Sequence, residues 1–154
     1  MDDYLLLKTL HILSSTVLFG TGLGIAFFMM MAHRTRDAAF IAKTANTVVI
    51  ADAVFTASAV IVQPLSGAAL IWVVGYAWSD RWVLLSLALY VLAGVCWLPV
   101  VWIQMRLRDL AAVAARDNTA LPPDYHRLFR IWFVLGWPAF IAVVSILALM
   151  IWKP

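Results

Sequence analysis

Residues 82–105 read WVLLSLALYVLAGVCWLPVVWIQM, without one charged side chain. A helix needs about 20 apolar residues to cross the ~30 Å hydrocarbon core of a bilayer, so this stretch is long enough to span one. Three other stretches match it: residues 5–31, interrupted only by Lys8, His11 and small polar residues, then about 48–74, then about 128–151. A backbone in lipid must satisfy its own hydrogen bonds, which leaves helices or a closed barrel. The ten-residue alternating strands of a barrel are absent from the sequence. The expected fold is an all-α integral membrane protein, with residues 1–154 forming a single domain, a four-transmembrane-helix antiparallel bundle.

Composition agrees. Hydrophobic residues make up 65% and charged residues 12%, against roughly 45–50% and about 25% in soluble domains. A water-soluble globule and a disordered chain are both excluded. The single cysteine, Cys96, rules out an internal disulfide, a CxxC redox pair, a cysteine-held iron–sulfur cluster and a CxxCH haem attachment. The expected partners are membrane lipid and a second copy of the chain in a homo-oligomer, with no nucleic acid.

The connections fall at Ala32–Thr47, Gly75–Arg81 and Arg106–Arg127. In the third, Arg106–Arg116 reads as helix continuing past the membrane. Pro122 and Pro123 then stop it, and Asp124 is the expected N-cap of the last span. Loops one and three carry Arg34, Arg36, Lys43, Arg106, Arg108, Arg116, Arg127 and Arg130, while the opposite side holds Lys8, Arg81 and Lys153. Basic loops stay in the cytoplasm, so both termini are expected outside it. Trp72, Trp78, Trp82 and Trp152 then form the outer aromatic belt. Asp2 and Asp3 precede the first apolar run where a signal peptide would carry positive charge, so that run is expected to stay as a span.

Asp52 is the one acid placed well inside a span. A carboxylate at mid-membrane costs at least about 2.5–3.5 kcal/mol and needs a partner or a purpose. At about 100° per residue, Asp52, Thr56, Ala59, Gln63 and Ser66 share one stripe of the second helix, about 20 Å long. Two readings stand. Either the stripe glues helices together and Asp52 pairs with an arginine near the surface, or it lines a proton or substrate path.

His11 lies about two turns into the first span, on a face shared with Lys8, Ser15, Gly22 and Ala26. Small residues beside a histidine leave room for a flat macrocycle, and imidazole is a usual axial ligand of haem iron. A hydrogen bond to a neighbouring helix is the competing reading. His33 and His126 sit beside Arg34 and Arg127 and read as surface residues. Met29, Met30 and Met31 are consecutive, so they point apart and cannot converge on one ion. Pro64, Pro99 and Pro138 interrupt three of the four spans, which suggests irregular backbone around an internal cavity.

Several stretches resemble an uncharacterised bacterial family of small integral membrane proteins. They are Lys8–Ser15, Ala51-Asp52 with Phe55-Thr56, Gln63–Gly67, Cys96–Gln104, Leu135–Phe140 and the close Leu149–Pro154. The resemblance spans nearly the whole chain and implies four helices; a bacterial inner membrane is the expected location, with both termini periplasmic by the lysine and arginine distribution. The segment Tyr4–Ile12 also resembles the opening helix of HemJ-type protoporphyrinogen oxidases, which bind haem b. That likeness implies His11 as an iron ligand. Lys8 or Arg81 is then expected to pair with the propionates, and Gly22 and Ala26 to admit the ring.

Three functions are therefore expected to compete. The first is a haem b membrane protein, extending to an oxidoreductase acting on a hydrophobic or porphyrin-like substrate. The second is a small transporter or proton-conducting subunit built on Asp52, Thr56, Gln63 and Ser66. The third is a membrane assembly partner without chemistry of its own.

Overall fold

A computed structural model describes residues 2–153 as helices joined by short turns. Helix α1 runs Asp2–Thr35, α2 Ala38–Ala51, α3 Ala57–Val74, α4 Arg81–Arg116 and α5 Pro123–Trp152. One wide π turn, Asp52–Thr56, joins α2 to α3 into a single span. Four helices are long and apolar enough to cross a membrane, and no strand occurs among the described residues.

The first connection is far shorter than the expected Ala32–Thr47. It consists of Arg36, in left-handed backbone at φ 58°, and Asp37. The Asp37 carboxylate accepts from the amides of Ala39 at 2.9 Å and Phe40 at 3.1 Å, an N-cap that starts α2 at once. Hydropathy marks where a chain leaves lipid, not where its helix ends. For the same reason α4 continues through Arg106, Arg108 and Arg116. Asp124 does not cap α5. Pro122 holds the cap position and Pro123 the first helical one, where its missing N–H costs nothing, leaving Asp124 in the first turn.

The prolines do not break the spans either: α3, α4 and α5 run on through Pro64, Pro99 and Pro138. The irregular backbone lies at Asp52–Thr56, where the amide of Ala57 bonds the carbonyl of Asp52. Such π turns recur at functional sites.

The packed core lies toward the end that carries the two basic connections, hereafter the basic end. Fully enclosed Ala32, Ala45 and Ala111 let α1, α2 and α4 approach closely, and Met29, Ile41, Leu107 and Tyr125 fill the space between. Between helices in lipid, such close packing replaces the hydrophobic drive available in water. Beyond this plug the bundle opens. The basic half of the second span (α2) packs on both α4 and α1, whereas its terminal half (α3) packs mainly on α1. Helix α5 lies along α4 and meets α1 only sparsely. The pairs α1/α3 and α4/α5 thus diverge toward the end that carries the chain termini.

Candidate functional site

The space between the two pairs is a cavity of about 380 Å3, lined by all four spans. That size lies within the range of small-molecule sites. Its walls are mainly apolar and aromatic, with Phe19, Trp97, Trp137 and Phe140 among them. One wall is polar and comes from the second span: Asp52, Thr56 and Gln63, with Tyr90 and Gln104 of α4 opposite.

Asp52 is only 3% exposed. Trp97 Nε1 donates to its Oδ1 at 3.2 Å. The Gln104 amide is oriented by Trp132, whose indole N–H is a donor only. The amide oxygen therefore faces Trp132 Nε1 at 3.3 Å, and its nitrogen donates to Asp52 Oδ2 at 3.1 Å. One indole and one amide thus donate to the carboxyl group, and a second indole, that of Trp132, holds the amide in place. The arginine partner expected on the structural reading is absent: the ion pairs among the described residues are Arg108–Asp109 and Arg116–Asp117, each between chain neighbours at the basic end.

Thr56, 6% exposed, lines the same wall, and its hydroxyl has no hydrogen-bond partner. The carbonyl oxygen of Gln63 is likewise buried and unpartnered. Between them, Tyr90 donates its hydroxyl to the Val60 carbonyl and so ties α4 to α3 across the cavity. Ser14 bonds the Ala59 carbonyl at 3.3 Å from the α1 side.

His11 belongs to the far end of this polar wall. Its Nδ1 lies 2.9 Å from Ser66 Oγ, and Gln63 Nε2 lies 3.1 Å from its Nε2. The imidazole packs over Gly67, where an added Cβ would stand 3.2 Å from Cε1. Both ring nitrogens are therefore engaged by α3, and His11 does not line the cavity. The residues present do not fit a haem there, because no imidazole nitrogen is free for iron. Gly22 does line the cavity, with open space where a Cβ would be. Lys8 is exposed and sits over the Tyr4 ring at 5.6 Å. No group of three or more metal-ligating side chains occurs among the described residues.

Four residues of the site were not singled out from the sequence: Tyr90, Trp97, Gln104 and Trp132. The signal was present in two of them. Gln104 is an uncharged polar residue inside a span, and Trp97 lies mid-span, away from the interface that tryptophan favours. His33 also departs from its surface reading. It stacks on Phe129 with ring centroids 3.7 Å apart and bonds the Tyr125 hydroxyl at 3.4 Å, closing the basic end of the core.

These features define a four-span, all-α integral membrane protein with a ligand-sized cavity bounded by one polar wall. The chain belongs to the family described as predicted integral membrane protein (DUF2269), whose family model matches residues 5–154. No curated protein and no solved structure matches it. The likeness of the first helix to HemJ-type oxidases has no support among these comparisons.

Proposed function

We propose that this protein binds a small amphipathic molecule inside the membrane, acting as a carrier or receptor. The polar head sits on the Asp52–Gln63 wall and the apolar part lies among the aromatic rings. The observation that carries this reading is the buried, unpartnered Thr56 hydroxyl facing a largely apolar cavity. A buried polar group without a partner costs about 1–3 kcal/mol, which a ligand able to hydrogen-bond it would recover.

A proton-conducting path along the same stripe is less well supported. The enclosed side chains of Met29, Ile41, Leu107 and Tyr125 pack across the bundle between the cavity and the basic end. The distribution of lysine and arginine favours a cytoplasmic basic end, so the cavity would open toward the outer leaflet. The sparse contact of α1 with α5, bridged by the stacked rings of Phe19 and Phe140 at 5.7 Å, suits lateral access from lipid.

The test is a titration of 9-bromononan-1-ol into the protein in phosphatidylcholine nanodiscs, read by bromine quenching of tryptophan fluorescence. Saturable quenching is expected. It should be lost in Gly94→Phe, which fills open space on the cavity wall without meeting a neighbour at its Cβ. Quenching that rises linearly with probe, or that Gly94→Phe leaves unchanged, overturns the proposal.

A further inference from the structure

We infer that the molecule this cavity takes is a lipophilic ammonium ion, with Asp52 as its counter-ion; the inference rests on the ligand-binding reading above. The cage around Asp52 supplies neutral N–H donors from Trp97 and Gln104 and no positive charge. Charged side chains inside a membrane ordinarily pair with one another. Among the described residues, no lysine or arginine lines this cavity. An ionised carboxylate offers about four acceptor positions, and the cage fills one on each oxygen. The remaining positions, together with the unpartnered Thr56 hydroxyl and Gln63 carbonyl oxygen, are acceptors for a head group that carries several N–H donors.

The rest of the wall suits the same head group. Aromatic faces attract cations, more strongly when the site is desolvated. Trp97 and Trp132 line the cavity near Asp52, Tyr90 lines it beside Val60, and Phe19 and Phe140 line its mouth between α1 and α5. An anionic head would meet Asp52 with no compensating cation. A neutral alcohol would use the hydrogen bonds but bring no charge to the carboxyl group or to the aromatic faces. Only the cation uses the acceptors and the aromatic faces together.

Isothermal titration calorimetry of the wild-type protein in phosphatidylcholine nanodiscs, corrected against empty nanodiscs, separates the possibilities. The probes are n-octylammonium, 1-octanol and octanoate. Octylammonium is expected to bind saturably and at least about tenfold more tightly than octanol, with octanoate weakest. Asp52→Asn should reduce octylammonium affinity about tenfold or more, and by more than it reduces octanol affinity, so that the octylammonium-to-octanol ratio falls toward one. If the two probes bind wild type equally, the cation inference fails while the binding reading survives. If none binds saturably, the binding reading itself fails. Should Asp52→Asn not fold, the octylammonium-to-octanol ratio in wild type decides alone, and Gly94→Phe must abolish both signals.

Discussion

The Asp52 cage binds its members so closely that the loss of one orphans another. Asp52→Leu leaves the indole N–H of Trp97 and the amide of Gln104 without acceptors, each at about 1–3 kcal/mol. Asp52→Asn keeps one acceptor and should be milder. Gln104→Met strands Trp132 Nε1 instead. Because these side chains form one network, a double-mutant cycle between Asp52→Leu and Gln104→Met should depart from additivity by about 0.5–3 kcal/mol in thermal or denaturant unfolding. Additive effects would mean that the cage does not act as a unit. His11 behaves the same way on a smaller scale. His11→Ala removes two hydrogen bonds, worth about 0.5–1.5 kcal/mol each, and should lower stability while leaving the visible absorption spectrum unchanged. A haem band that vanishes in His11→Ala would overturn the placement of both ring nitrogens on α3. Gly67→Val should be more damaging than Gly67→Ala, since even the alanine Cβ meets the imidazole at 3.2 Å.

Among the elements, the second span carries the most local design. Its wide turn accommodates an additional residue between two regular helices, so it lets α2 pack on both α4 and α1 while α3 packs mainly on α1. Deleting exposed Val54 from the turn should regularise the helix and leave Gln63 and Ser66 facing His11. Deleting exposed Ile61 removes a residue from regular helix and rotates everything after it by about 100°. That rotation takes both partners away from His11. Yield and melting temperature in detergent should therefore fall much further for the Ile61 deletion than for the Val54 deletion; equal losses would deny the turn its accommodating role. At the start of the same span, Asp37→Ala removes the cap of α2 and should cost about 1 kcal/mol, whereas Asp37→Asn should cost little.

The whole molecule is asymmetric from end to end. The basic end is plugged by Met29, Leu107 and Tyr125, and the terminal end is held together by polar and aromatic contacts at the rim. There Lys153 Nζ donates to the Tyr76 hydroxyl at 2.6 Å and lies over the Tyr76 ring at 4.5 Å, while Trp82 is buried edge-on against Tyr76. The closed end and the lysine-and-arginine-rich end coincide, so sidedness decides which leaflet reaches the cavity. A reporter fused at Asn118 should read cytoplasmic, and one fused after Pro154 should not. The reverse result would turn the cavity toward the cytoplasmic leaflet.

The sequence by itself determined the number of spans, the all-helical architecture and the inward stripe of the second helix. Apolar runs longer than a bilayer admit no other secondary structure. The stripe was legible because Asp52, Thr56, Ala59, Gln63 and Ser66 recur at helical spacing, and polar side chains in lipid turn inward. Only the tertiary structure decided what meets that stripe. Leu84 and Leu98 are 53% and 65% exposed, whereas Val83 and Ile103 on the same helix are 2% and 3% exposed. Their chemistry is alike, because lipid is as apolar as the bundle interior, so sequence gave no signal of how α4 is rotated. That rotation brings Trp97 and Gln104 to Asp52. The packing of α1 on α3 commits both nitrogens of His11 to Ser66 and Gln63, and the divergence of the two helix pairs creates the cavity. These are distances between helices, set by crossing and rotation, and no run of residues along one helix encodes them.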